Sequence, residues 1–289
     1  MDIKDIRDLY PFEPHYHPIR NHRCHYIDEG KGDTLLMLHG NPTWSFHYRN
    51  LILAARENYR VVAPDHLGCG LSDKPQNAPY RLESHIDNLE SLVQAVCPGE
   101  VTIVAHDWGG AIGMGLAKRR PDKVKRIMLM NTGAFSMASL PLRIRLCKSP
   151  HLGQFLTRRL NLFCRAATFM TTTKPLPKRV KQAYLMPYRS YADRVAVYNF
   201  VKDIPLSGEH ESFEPLLSIE HSLWMFRKTP VCIAWGMRDW CFTPDFLVKW
   251  LDFFPQARVL RLKDAGHYVL EDAAEEVIPF FLDFLNDFK

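Results

Sequence analysis

The stretch that decides the fold runs from residue 101 to residue 117 and reads VTIVAHDWGGAIGMGLA. Its first five residues are apolar or β-branched, which is typical of a strand buried on both faces of a parallel sheet. The last seven predict an Ala- and Gly-rich helix, Ala111–Ala117. The small residues around Asp107 permit a sharp strand-to-helix turn, which lifts the side chain at its apex above the sheet.

Asp107 stands at the apex of this turn, where serine enzymes of similar architecture carry Ser. A carboxylate is a competent covalent nucleophile, and the N-terminus of the following helix helps to keep it ionised. The alternative is a structural helix cap, because Asp is a favoured capping residue. The turn alone favours the nucleophile but leaves the cap open.

Short apolar runs recur along the chain and alternate with amphipathic stretches such as Leu82–Val96 and Ala111–Arg119. Repeated βα units predict an α/β fold with a mostly parallel, doubly wound sheet, and chemistry in the loops beyond the carboxyl ends of its strands. The predicted strands are Thr34–Leu38, Tyr59–Ala63, Val101–Ala105, Arg126–Met130, Val231–Trp235 and Ala257–Leu262.

Composition is typical of a soluble globular protein: 289 residues, 46% hydrophobic and 24% charged. No apolar run approaches the roughly 20 residues that span a bilayer, and the first residues lack the apolar run of a secretory signal. Seven dispersed cysteines without a CxxC pair predict reduced thiols and a cytoplasmic location. The net charge of +5 is too small to indicate nucleic-acid binding.

Charge is unevenly distributed, since residues 135–219 carry thirteen Lys and Arg against five Asp and Glu. Strand-like runs also stop there, so we predict a helical cap at 135–219, inserted into a core formed by 1–134 and 220–289. A basic solvated surface is the simpler interpretation of this charge. Self-association, or docking of the basic cap to a partner or lipid, is the alternative.

Two more loops carry candidate site residues. HGNPTW at 39–44 follows the first predicted strand, where this architecture supplies a backbone N–H to an oxyanion. KDAGHY at 263–268 follows the last strand and places His267 after the nucleophile and the acid in chain order. Asp239, in the loop after Val231–Trp235, is the preferred acid to orient His267. Asp245 and Asp264 are the alternatives.

Four histidines near the start of the chain have no Cys or carboxylate at metal-ligand spacing. We therefore predict that they are surface residues and not a metal site: His15, His17, His22 and His25.

Taken together, HGNPTW (39–44), DHLGCGLSDKP (65–75) and HDWGG (106–110) resemble the haloalkane dehalogenases. The resemblance extends over the whole chain, including DIPLS (203–207) and HYVLED (267–272), and is strongest to the subfamily whose acid lies in the Asp239 loop. The β-lactone decarboxylases of bacterial long-chain olefin synthesis share nearly all these motifs.

The resemblance implies an α/β-hydrolase fold with Asp107 as nucleophile, His267 as base and Asp239 as acid, and with Asn41 and Trp108 as halide-binding residues. In the implied reaction, Asp107 displaces halide from a small apolar haloalkane to form an alkyl ester. Water activated by His267 then releases the alcohol, while N–H groups of Asn41 and Trp108 hold the oxyanion. The scheme uses no metal or organic cofactor.

Other members of the superfamily fit the sequence less well. A serine esterase needs Ser at position 107, and a fluoroacetate-type dehalogenase is expected to carry Arg where this chain has Trp108. An epoxide hydrolase typically has Phe at position 41 and needs two cap tyrosines, for which Tyr184, Tyr188, Tyr191 and Tyr198 are candidates. A β-lactone decarboxylase remains the main alternative, and a non-catalytic binding protein is a further one, since fold alone does not prove activity.

Overall fold

The computed structural model describes residues 2–136 and 141–288. Its centre is an eight-stranded sheet in the order β1-β2-β4-β3-β5-β6-β7-β8. The first two strands run antiparallel to their neighbours, and all other pairs are parallel. The strands are β1 (His15–Ile19), β2 (His22–Glu29), β3 (Thr34–Leu38), β4 (Arg60–Pro64), β5 (Val101–Asp107), β6 (Val124–Thr132), β7 (Val231–Gly236) and β8 (Arg258–Leu262).

Helices cover both faces of the sheet. On β3, Leu35 and Met37 pack into the core on the side of α1 and α12, whereas Leu36 and Leu38 pack towards α2, α3, α9 and α10. Burial on both faces explains why the central parallel strands contain continuous apolar runs, whereas the edge strand β8 carries two Arg and is partly exposed. The helices are α1 (Arg49–Ala55), α2 (Leu82–Val96), α3 (Trp108–Arg119), α4 (Leu142–Lys148), α5 (Pro150–Gln154), α6 (Leu162–Met170), α7 (Lys178–Leu185), α8 (Val195–Lys202), α9 (Phe213–Ser222), α10 (Pro244–Phe253), α11 (Val269–Asp272) and α12 (Ala274–Asp287).

The predicted fold class is confirmed, and each predicted strand corresponds to one of β3 to β8 with its ends shifted by at most two residues. The hairpin of β1 and β2 was not predicted, because its strands mix exposed His, Arg and Tyr with few buried positions. The prediction of a surface location is wrong for His25. Its ring is fully buried on β2, with Nδ1 2.9 Å from Asp65 Oδ2.

Between β6 and β7 the described residues form helices and no strand. Most of these helices lie above the carboxyl ends of the strands, but α9 packs against α2 and α3 and contributes Leu216 and Ile219 to the core. The boundary drawn at residue 219 therefore falls inside α9, and residues 137–140 of the predicted cap lie outside the described residues. Across the described ranges, no helix is long and apolar enough to cross a bilayer.

Candidate active site

Asp107 lies in a sharp turn at the carboxyl end of the central strand β5. Asp107 ends β5 with φ 53° and ψ −126°, and α3 begins at the next residue. Positive φ is uncommon for a residue with a side chain and marks strain that the surroundings must hold. Thr132 Oγ1 donates to the Asp107 carbonyl at 2.5 Å, and Gly109 leaves room for the crossing backbone, since a Cβ there would collide with the Leu38 carbonyl.

The Asp107 carboxylate lies between a backbone donor and an imidazole. Its Oδ1 accepts a hydrogen bond from the Asn41 backbone N–H at 2.6 Å, and its Oδ2 is 3.5 Å from His267 Nε2. Burial alone would raise the pKa of this carboxyl, but the hydrogen bond and charge of His267 outweigh it and the net pKa is lowered. Asp107 is therefore ionised at neutral pH, as a nucleophile must be.

His267 bridges two carboxylates. Its Nδ1 is 2.7 Å from Asp239 Oδ2, on the side opposite Asp107, and the Phe242 ring stacks on it at 5.4 Å between centroids. Burial lowers the pKa of the imidazole, but Asp239 and Asp107 together raise it to about 10. The two carboxylates hold His267 in one orientation and favour its imidazolium form.

Asp239 is fixed by donors other than His267. Its Oδ1 accepts from the Cys241 backbone N–H at 2.7 Å, and its Oδ2 accepts from Asn131 Nδ2 at 2.9 Å. Of the alternatives, Asp264 is exposed and pairs with Arg238, and Asp245 accepts from Thr243 near the start of α10. The structure therefore brings Asp239, and not its competitors, to His267.

Asn131 is the residue that sequence reasoning missed. It lies near the end of β6 with φ 34°, and its Oδ1 accepts the Gly236 backbone N–H at 2.8 Å while its Nδ2 holds Asp239. The expected acid was a carboxylate, and the amide side chain of Asn131 does not meet that expectation. Its position could have indicated a role in the site, because it is a polar residue at the carboxyl end of β6, the strand next to β7.

Asn41 and Trp108 flank the carboxylate of Asp107 and line the same cavity. Asn41 Nδ2 donates to the Val197 carbonyl of α8 at 3.1 Å, and its second N–H has no protein acceptor within the described ranges. The Trp108 ring packs against Phe200 at 5.2 Å between centroids. The loop after β3, the turn between β5 and α3 and the loop after β8 thus place four side chains together at the cavity, with Asp239 behind His267: Asn41, Asp107, Trp108 and His267.

The cavity has a volume of about 680 Å³ and walls that are mostly hydrocarbon. Three phenylalanines are among the side chains that line it: Phe135, Phe163 and Phe169. Trp224, just after α9, does not line the cavity, and its side chain is half exposed. A large apolar space that ends on a few convergent polar groups is the usual form of a small-molecule site.

The four candidate epoxide-protonating tyrosines lie elsewhere. All four are described, and none lines the cavity: Tyr184, Tyr188, Tyr191 and Tyr198. Tyr184 donates to Glu271 at 2.5 Å, and Tyr198 donates to the Pro150 carbonyl at 2.9 Å. The geometry therefore lacks the cap donors that epoxide opening would use.

Residues 33–274 match the family described as the alpha/beta hydrolase fold. The chain is 42% identical to a cis-3-alkyl-4-alkyloxetan-2-one decarboxylase of Shewanella oneidensis, over 96% of this chain and 90% of that protein. It is 32% identical to haloalkane dehalogenase 2 of Mycobacterium tuberculosis, over 96% of both. A crystal structure of a haloalkane dehalogenase from Agrobacterium tumefaciens C58 superposes with a TM-score of 0.87 and 22% identity, covering 96% of this chain and 97% of that one. At so low an identity, this superposition shows a common fold and nothing more.

Proposed function

Because the chain belongs to the α/β-hydrolase family, among the haloalkane dehalogenases and oxetanone decarboxylases, we propose that it decarboxylates β-lactones that carry two alkyl chains. The observation that carries this proposal is the large apolar cavity that ends on Asp107. From the sequence motifs, a haloalkane is the expected substrate and a β-lactone is the main alternative. Cavity size and the 42% identity to a decarboxylase support the reverse order.

The cavity volume favours a substrate with long chains. At the roughly 30 Å³ that a water-sized group occupies, about 680 Å³ accommodates roughly twenty methylene-sized units. A haloalkane of a few carbons would leave most of this space unfilled, and unfilled apolar volume contributes no binding. Two alkyl chains on a four-membered lactone ring would cover the hydrocarbon walls and bring the polar ring to the polar end.

In the proposed reaction the Asp107 carboxylate attacks ring carbon C4 in line with the C4–O bond. That bond breaks, its electron pair stays on the ring oxygen, and the product is an Asp107 ester with a free carboxylate on C3. The C3–carboxylate bond then breaks and its electron pair forms the C3=C4 double bond, which expels Asp107. One alkene and one carbon dioxide leave, no water is consumed, and Asp107 is regenerated.

This pathway gives His267 a role that suits its charge. An imidazolium beside Asp107 stabilises the carboxylate when it departs as the leaving group in the second step, with no proton removed from water. The N–H groups of Trp108 and Asn41 would stabilise the carboxylate that develops on the ring oxygen. A hydrolytic pathway requires a neutral His267 instead, which becomes available only after ester formation removes the charge of Asp107.

The direct test uses a cis-3,4-dialkyl oxetan-2-one with two long chains. The wild-type chain should release alkene and carbon dioxide in equal amounts, measured by gas chromatography with mass spectrometry. Asp107→Ala should lose this activity by on the order of 10⁴-fold or more, because no other group forms the ester. Asp245→Ala is the matched control, since its carboxylate does not contact the cavity.

Many turnovers of the same lactone in oxygen-18 water distinguish decarboxylation from hydrolysis. Ester hydrolysis by water at the carbonyl would place the heavy isotope in the Asp107 side chain, whereas decarboxylation leaves that side chain unlabelled. Mass spectrometry of the peptide that contains Asp107 measures the difference. A β-hydroxy acid product together with labelled Asp107 would overturn the proposed reaction.

Haloalkane hydrolysis is the second candidate, favoured by Asn41 and Trp108 beside the nucleophile and by the 32% identical dehalogenase. Two N–H donors suit a departing halide, because they stabilise the charge that it gains in the transition state. With a 1-bromoalkane, this reaction would release bromide, and His267→Phe would trap the alkyl ester on Asp107 as added mass. Bromide release without alkene formation from the lactone would place this candidate first.

A further inference from the structure

The helices around the cavity mouth expose an unusual amount of apolar surface. Within residues 142–169, seven large apolar side chains are between 41% and 69% exposed. Exposed apolar residues scattered singly are ordinary, but several on neighbouring helices, such as α4 and α5, which contact each other, mark a binding surface. We call this surface the mouth face, and its apolar members are Leu142, Leu146, Leu152, Phe155, Leu160, Leu162 and Phe169.

Three members of the mouth face also line the cavity: Leu146, Leu162 and Phe169. Leu206, 47% exposed, does the same from the segment after α8. Side chains that touch both solvent and the cavity interior form its rim. The mouth face is therefore continuous with the path by which a substrate enters.

The same surface is strongly basic. Residues 142–169, which carry the mouth face, contain six Lys and Arg and not one Asp or Glu. Arg143, Arg145, Arg159 and Arg165 are exposed, and in the described ranges none of them forms an ion pair with a carboxylate. The Arg143 guanidinium lies over the Trp240 ring at 5.5 Å, next to the cavity.

We propose that the mouth face docks on an anionic lipid surface, from which the substrate passes directly into the cavity. Apolar side chains that enter the headgroup boundary, flanked by Arg and Lys that meet anionic lipids, are the features of interfacial binding. Six basic and no acidic residues within 142–169 give the mouth face a charge that complements such a surface. The substrate step rests on the proposed function, because a lactone with two long chains partitions into a bilayer and not into water.

Flotation of the purified full chain with lipid vesicles tests the docking without any substrate. The chain should bind vesicles that contain phosphatidylglycerol, bind vesicles of phosphatidylcholine alone much more weakly, and dissociate from the former as salt rises. Arg145→Glu/Arg159→Glu should lower the apparent affinity by about 30-fold or more, because each Arg near an anionic surface strengthens binding by roughly fivefold. Phe155→Ser should weaken binding at high salt, where the apolar contribution remains.

Matched controls separate local effects from net charge and exposure. Lys31→Glu/Lys228→Glu changes the net charge equally at exposed positions of the core, and Val248→Ser removes a 60% exposed apolar residue from α10. Both should bind as the wild type does. Equal losses in the two charge-reversed variants, or no preference for anionic vesicles, would overturn the proposal. Self-association that Phe155→Ser abolishes, with no vesicle binding, would assign the mouth face to a second copy of the chain instead.

Activity assays keep this inference distinct from the proposed function. None of Arg145, Arg159 and Phe155 lines the cavity, so activity on a short-chain lactone in solution should be unchanged in these variants. Turnover of a long-chain lactone held in anionic vesicles should fall with vesicle binding. Vesicle binding without turnover of any lactone would contradict the proposed function and leave the docking intact.

Discussion

At the scale of single residues, His267 shows what a sequence can and cannot reveal. Its position after the last strand and its partners Asp107 and Asp239 follow from chain order and loop placement. The hydrogen bond from Asn131 to Asp239 does not follow from chain order, because it depends on the positive φ of Asn131 and on the spacing between β6 and β7. Nor does the raised pKa of His267, which requires two carboxylates on opposite sides of a buried ring.

Asp239→Asn should lower the pKa of His267 from about 10, because it removes one of the two negative charges that raise it. Loss of that charge also weakens the imidazolium that stabilises the departing Asp107 carboxylate, so kcat should fall by about 10²- to 10³-fold. Nuclear magnetic resonance titration of His267 and steady-state kinetics measure the two effects. Asp264→Asn, at an exposed ion pair, should change neither. An unchanged pKa in Asp239→Asn would refute the two-carboxylate explanation.

At the scale of elements, parallel strands and their helices were predictable because burial on both faces leaves long apolar runs. The limits of α2 agree at both ends, whereas α3 begins three residues before its predicted start, at Trp108. That difference arises because Gly109 and Gly110 pack into the first turn of the helix, against Leu38 and Thr132. Glycines usually end a helix, so tertiary packing overrides local propensity here.

Gly109→Ala should destabilise the fold by about 1–3 kcal/mol, because a Cβ would push the start of α3 away from the Leu38 carbonyl. The displaced turn would also move Asp107 and lower kcat. Gly99→Ala is the matched control, since nothing lies within 4 Å of a Cβ at that position. Urea denaturation and kinetics on both variants measure the effects, and similar results for the two would contradict the packing argument.

At the scale of the whole molecule, fold class was predictable from the alternation of strands and helices, and the cavity was not. Cavity volume depends on how far the helices between β6 and β7 stand above the sheet, which no local pattern encodes. The choice between a haloalkane and a lactone depended on that volume. The reacting groups follow from the order of the loops along the chain, whereas the proposed substrate depends on the cavity.

The stability of the molecule should depend on pH through His267. Its folded pKa of about 10 lies above the unfolded value of about 6.5. The stabilisation is therefore fully present below about pH 6.5 and is lost as pH rises through about 10. Between pH 6 and pH 10.5, the unfolding free energy of the wild type should fall by on the order of a few kcal/mol more than that of His267→Gln. Parallel pH profiles for the two proteins would contradict the assigned charge.

About half of the side chains that line the cavity come from residues 141–206, while the reacting groups come from the carboxyl ends of the strands and the loops that follow them. Mutations in that one contiguous segment can reshape the space offered to a substrate and leave the strained turn at Asp107 untouched. Such a division makes new specificity accessible through few, local genetic changes. It offers a physical route by which two chemistries that begin with the same carboxylate attack can diverge from one ancestor.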